Sequence, residues 1–128
     1  MKNKITLILV TALVSLSLSC GKEKVVVAEL NTEFQLNFNQ SAEIKNENLS
    51  IKFQQVNDSR CPKGANCFWQ GEGKVTLKVN STPFTISTLT PSKDTLGYTF
   101  TLLGLDPYPD ISKSIKDEDY ILKLKVSK

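Results

Sequence analysis

The chain has 128 residues, 16 basic and 13 acidic, giving a formal net charge of +3, with one tryptophan and no histidine. The missing histidine excludes Ser/His and Cys/His nucleophile pairs and removes the commonest general base at neutral pH. Arg60 is the only arginine and the lysines are interspersed with carboxylates, so there is no basic face for nucleic acid and no guanidinium cluster for phosphate.

Residues 1–19 read as a signal helix. Lys2 and Lys4 precede an apolar run over 5–18, and Ser17 and Ser19 give the small-x-small pattern of a cleavage site. The run is too short to span a bilayer, which takes about 20 apolar residues. Ser17-Leu18-Ser19-Cys20 resembles a bacterial lipobox, in which the cysteine is diacylated, the signal is cut before it and the new terminus is acylated. Ser17 stands where that pattern has a larger aliphatic residue, which leaves ordinary cleavage after Ser19 as the alternative. Gly21 resembles the sorting signal of outer-membrane lipoproteins. The expectation is therefore a lipid on Cys20, a tether over 20–24 and a single domain over 25–128 in the bacterial cell envelope, at the outer membrane and facing either side. Paired acyl chains anchor stably, at about 0.8 kcal/mol per buried CH₂. Loss of Lys2 and Lys4 leaves 14 basic residues against 13 acidic ones, and a chain near this length buries roughly two-thirds of its unfolded surface.

Period-two alternation dominates the remainder. Strands are predicted at 25–30, at 34–38 (Phe34, Leu36, Phe38), at 42–44, at 49–53 (Leu49, Ile51, Phe53), at 75–79 (Val75, Leu77, Val79), at 84–88, at 98–102 and at 120–126 (Tyr120, Leu122, Leu124, Val126). Val56 is out of phase with Phe53, which predicts a bulge. Turn-forming clusters lie at 37–41, 45–48, 57–64, 71–73, 80–83, 91–97 and 106–110, and 112–119 has room for one helical turn. The expected fold is all-β: an antiparallel β-sandwich, Ig-like or jelly-roll-like, or a small barrel.

Once Cys20 is assigned to lipid, Cys61 and Cys67 are an even pair in an oxidising compartment, and a disulfide follows. Closing so short a loop contributes roughly 2 kcal/mol by chain entropy. Two thiols without histidine leave a zinc or copper site short of ligands, so neither a metal nor a cofactor is expected. Asp58 is placed to accept backbone N–H groups in the turn or to pair with Arg60.

The segment NDSRCPKGANCFWQGEG over 57–73 resembles the Asp-Ser-Arg-Cys-Pro, then Cys-x-Trp-x-Gly arrangement of largely uncharacterised small bacterial lipoprotein domains, on Asp58, Ser59, Arg60, Cys61, Pro62, Cys67, Trp69 and Gly71. The similarity extends to 34–44, to Leu105, Pro107, Tyr108 and Pro109, and to the last strand. Gln40 departs from it, standing where a glycine is expected before Ser41. The resemblance implies a lipid-anchored all-β module and carries over no catalytic activity.

The function expected from these readings is a lipid-anchored binding or structural module. Asp58, Arg60, Pro62 and Gly71 form the structural part of the motif, and Lys63, Phe68 and Trp69 are the candidate contacts to an unidentified protein or glycan. Core packing of Trp69 against the disulfide is the simplest reading of that indole, with ligand stacking as the alternative. Lys63 on a disulfide-clamped loop also suggests a protease inhibitor, although an ordinary solvated lysine is the simpler reading. An envelope-polysaccharide enzyme using a carboxylate such as Asp106, a Ser112/Lys116 dyad, calcium on Asp106, Asp110, Asp117, Glu118 and Asp119, and an O-glycosylation acceptor at Asp94-Thr95-Leu96 are the weakest alternatives.

Overall fold

The structure is a computed structural model that describes residue 21 and residues 23–128; the predicted signal helix and Cys20 lie outside the described residues. Among the described residues nine strands form: β1 (Val26–Ala28), β2 (Glu33–Asn37), β3 (Ser41–Ile44), β4 (Ser50–Asp58), β5 (Gly73–Val79), β6 (Thr82–Ser87), β7 (Ser92–Thr95), β8 (Tyr98–Asp106) and β9 (Ile121–Ser127). One sheet has the order β1-β3-β4-β5-β6 and the other β2-β9-β8-β7. Each sheet ends in two open edges, so the fold is a β-sandwich and the barrel alternative is set aside. All pairings are antiparallel except β1 with β3. The chain leaves the first sheet after β1, forms β2 in the second and returns as β3, so β1 and β3 point the same way.

Alternation in sequence becomes the two inner faces. Leu36, Ile51, Phe53, Leu77, Phe100, Leu122 and Leu124 are fully buried, while neighbours such as Gln35, Gln54 and Lys78 face solvent. Removing apolar area from water at about 25 cal/mol per Å² is the main force holding the sheets together. Asn31, Asn39, Asn46 and Asn80 take positive φ between 53° and 63° in the connections, a conformation the short amide side chain tolerates.

The expected bulge is present in β4, where register with β5 shifts between Phe53 and Gln55. A second bulge in β8, between Leu102 and Gly104, has no sequence signal beyond the glycine. β7 corrects the sequence reading, which places only a turn at 91–97. Ser92-Lys93-Asp94-Thr95 is too polar to announce a strand, and it pairs with β8 at an open edge where a polar face is no penalty. The helical turn expected in 112–119 is a single 3₁₀ turn at Asp117–Asp119.

Strand direction sorts the loops into two ends. β4 ends where β5 begins, with Asp58 opposite Gly73, so residues 59–72 project from one end together with 88–91 and 107–119. Residues 29–32, 45–49, 80–81 and 96–97 cap the other end. β1 runs with β3 and against β4, and its first residue, Val26, lies level with Ala42, Ile51 and Val79, beside the 80–81 turn.

Candidate functional site at the clasped end

The 59–72 segment continues the β4–β5 ladder before it opens. Ser59 N–H donates to Glu72 O at 2.8 Å, and Cys61 N–H donates to Gln70 O at 2.8 Å. Gly71 makes this possible: its φ is +69°, and a Cβ there would lie 1.8 Å from the Ser59 carbonyl oxygen. The Cys61–Cys67 disulfide closes the segment with a Cα–Cα distance of 5.8 Å. Beyond Cys61 the half-buried Pro62 leads to Lys63, whose backbone joins the 107–119 loop, donating to Pro109 O at 2.9 Å and accepting from Ile111 N–H at 3.1 Å.

Below the disulfide, Asp58 and Arg60 form a buried pair, with side chains 3% and 10% exposed. Arg60 reaches the carboxylate as a fork, Nε to Oδ1 at 2.8 Å and Nη2 to Oδ2 at 2.6 Å, and its own backbone N–H donates to Oδ1 at 3.1 Å. Two of the three remaining guanidinium N–H donors go to Leu105 O at 3.0 Å and Pro107 O at 3.2 Å, and the cation lies 4.6 Å from the centroid of the Tyr108 ring. The Tyr120 hydroxyl donates to Asp58 Oδ2 at 3.0 Å. Both Asp58 roles expected from sequence, turn acceptor and Arg60 partner, are therefore filled at once.

Burial opposes the charge on Asp58, but the Arg60 hydrogen bonds and its positive charge outweigh that and hold the carboxyl below its ordinary value of 3.8. Burial and the adjacent Asp58 carboxylate push the Tyr120 phenol up to about 12. Among the described residues no buried side-chain nitrogen or oxygen lacks a partner, and the cluster pins the end of β4 to Leu105 and Pro107 at the end of β8 and to Tyr120 just before β9. The Arg60 contacts to Leu105 O and Pro107 O have no sequence signal, because backbone carbonyls carry none, and Tyr120 reads in sequence only as the first apolar residue of the last strand.

Trp69 corrects the packing expectation. Its side chain is 60% exposed and that of Phe68 is completely exposed. The disulfide sits on the projecting loop, and Leu105 and Tyr120 belong to the core, with the Asp58–Arg60 pair hydrogen-bonded to both. Lys63 is exposed as well, and its Nζ lies 5.9 Å from the centroid of the Tyr108 ring. The disulfide and the exposed aromatics thus share the 61–69 loop, whose flanks are paired through Cys61 N–H and Gln70 O.

The other candidates do not converge with them. Asp110 Oδ1 accepts from the Ser112 N–H at 2.9 Å and from the Ser112 hydroxyl at 2.7 Å, which engages the serine of the supposed dyad. Among the described residues no three His, Cys, Asp or Glu side chains gather as a metal-holding group. Thr95 is half-buried at the end of β7. A shallow depression of about 350 Å³ at the opposite end is lined by Val27, Glu47, Asn48 and Asn80 and by no residue of the 59–72 segment.

Compared with family models, curated proteins and solved structures, the chain finds no match.

Proposed function

We propose that the chain is a lipid-anchored binding or structural module of the bacterial cell envelope, tethered to the outer membrane through Cys20 and making contact through the Cys61–Trp69 loop. The reading belongs with the small lipoprotein domains that the Asp58-to-Gly71 motif resembles. One observation carries it: Phe68 and Trp69 are exposed on a loop whose base is fixed by a disulfide and a buried ion pair. A disulfide and backbone hydrogen bonds restrict the loop's backbone in advance, which lowers the ordering cost of binding. The protease-inhibitor reading draws less support, because the backbone of Lys63 is hydrogen-bonded on both sides to the 107–119 loop and is not free to lie along a protease cleft.

Two measurements test the proposal. Metabolic labelling with an alkyne fatty acid should mark the wild-type chain and not Cys20→Ala, which should move to the soluble fraction. Photo-crosslinking from position 69 in intact cells should give a specific adduct to a protein, glycan or lipid. A Cys20→Ala chain that stays membrane-bound, or a position-69 probe that labels nothing, overturns the corresponding half.

A further inference from the structure

Among the described residues the two sheets leave four strand edges open, on β1, β6, β2 and β7, and an unpaired edge is a template for another strand. Three of them are blunted. On β6 the outward residues are 83, 85 and 87, because Thr88 N–H donates to Gly73 O and sets the alternation. Pro83 has no N–H to offer, and Thr85 O is taken by Lys93 Nζ at 3.2 Å. β7 is Ser92-Lys93-Asp94-Thr95, polar throughout. On β2 the outward residues are 33, 35 and 37, since Phe38 N–H donates to Tyr120 O; Glu33 is charged, and Asn37 N–H is taken by Gln40 Oε1 at 3.0 Å.

Among the described residues β1 carries no such device. Ala28 O accepts from Lys45 N–H at 2.7 Å and Lys24 O from Gln40 Nε2 at 3.2 Å, so residues 24, 26 and 28 turn their peptide groups to the body while Val25 and Val27 turn theirs outward. The side chains of Val25 and Val27 are exposed as well, and Val26 between them packs against the core. No charge stands between Lys24 and Glu29. The open groups are symmetric about Val26. A second copy laid antiparallel, with Val26 on the two-fold axis, sets each Val25 opposite the other copy's Val27, which uses every outward group of those residues and lines up the exposed valines on one face. Glu23 then faces Glu29 of the second copy, each already beside a lysine, Lys52 at 3.7 Å and Lys45 at 3.4 Å. Centring on Val27 would instead put a carboxylate beside Val25 and draw on the Glu29 carbonyl, which Thr32 N–H already engages at 3.4 Å.

We propose that β1 pairs with β1 of a second copy, joining their five-stranded sheets into one continuous sheet. The contact is isologous, so it closes at two copies, and it is short, which makes the dimer weak and reversible. It goes beyond the loop contact above and needs neither that loop nor a lipid.

The oxidised domain 21–128, whose core is complete within residues 26–127, is followed by sedimentation equilibrium up to millimolar concentration. The weight-average mass should climb from monomer toward dimer and no further. Val27→Pro deletes one outward N–H and leaves the bonds to β3, so it should keep the unfolding midpoint and lose the dimer. Val27→Lys sets like charges near the axis and should lose it without touching the backbone. Gln35→Pro deletes the equivalent N–H on the β2 edge and should leave the dimer intact. Under mild oxidation, Val25→Cys chains mixed with Val27→Cys chains should form an intermolecular disulfide faster than either alone. A mass that stays monomeric at every concentration overturns the proposal, as does a dimer that survives both changes at Val27 or is lost equally with a folded Gln35→Pro. Growth past the dimer assigns the association to another edge and overturns it too. Val27→Cys chains that crosslink alone as fast as the mixture overturn the register.

Discussion

Each end of the sandwich carries a carboxylate, a tyrosine hydroxyl and a cation, in different surroundings. At the clasped end Asp58, Arg60 and Tyr120 meet below the disulfide; at the other, Glu47 accepts from the Tyr98 hydroxyl at 2.5 Å and from Lys128 Nζ at 3.1 Å. Each carboxyl is held below its ordinary value, Glu47 by the Tyr98 and Lys128 hydrogen bonds and Asp58 by Arg60 against the opposing effect of burial. The difference is water. Arg60 is 10% exposed and its partner 3%, whereas Lys128 is 61% exposed. A planar fork can satisfy two carboxylate oxygens and two backbone carbonyls in a dry site, which a lysine ammonium cannot do. A triad of this kind is a structural pin in one place and a solvated surface contact in the other.

The largest effect expected from this contrast comes from unpairing the buried cation. Asp58→Ala leaves Arg60 desolvated and should cost about 3–5 kcal/mol in urea denaturation, while Glu47→Gln should shift the midpoint little; equal effects would break the comparison. Removing the disulfide with Cys61→Ala and Cys67→Ala together should cost about 2 kcal/mol by chain entropy, with unfolding still cooperative because the core lies below the loop. Gly71→Ala forces a Cβ against the Ser59 carbonyl and a side chain into positive φ, which should cost more than about 1 kcal/mol. A Gly97→Ala control also pays for positive φ but meets no atom within 4 Å, so it should cost less.

The smallest effects are in pH. The folded value of Asp58 is lowered, so its contribution is complete above the ordinary value of 3.8 and is lost as pH falls through that value toward the folded one. Asp58→Ala should flatten this acid limb of the stability curve. The folded value of Tyr120 is raised, so its contribution is complete below the ordinary 10 and declines as pH rises from there toward about 12. Ultraviolet titration should show Tyr120 ionising late, and Tyr120→Phe should remove that late phase.

Legibility followed the range of the interactions. Alternation gave eight of the nine strands because burial on one face of a strand writes itself into every second residue, and the β4 bulge showed as a break in that phase. β7 was illegible because an open edge accepts a polar segment, and the parallel β1–β3 pairing because it depends on β2 crossing to the other sheet. The Gln40 departure resolves in the same local terms. The left-handed residue of that turn is Asn39, at φ 63°, so Gln40 needs no glycine geometry and spends its amide on Asn37 N–H and Lys24 O. At the candidate site the Cys61–Cys67 pairing and the Asp58–Arg60 pair were readable from composition and spacing. The exposure of Trp69 was not, since it depends on where the core closes in three dimensions, and that closure is made by Tyr120 and Leu105, far along the chain.

The central claim is that the motif divides into a buried pin and an exposed aromatic pair, and Trp69 tests it directly. The core is complete within residues 26–127, so the lipid-free, oxidised domain 21–128 in plain buffer is the proper sample for emission and acrylamide quenching. The account predicts red-shifted emission, readily quenched, in a domain that unfolds cooperatively. Blue-shifted emission shielded from acrylamide would put the indole in the core and contradict both the division of the motif and the contact surface built on it.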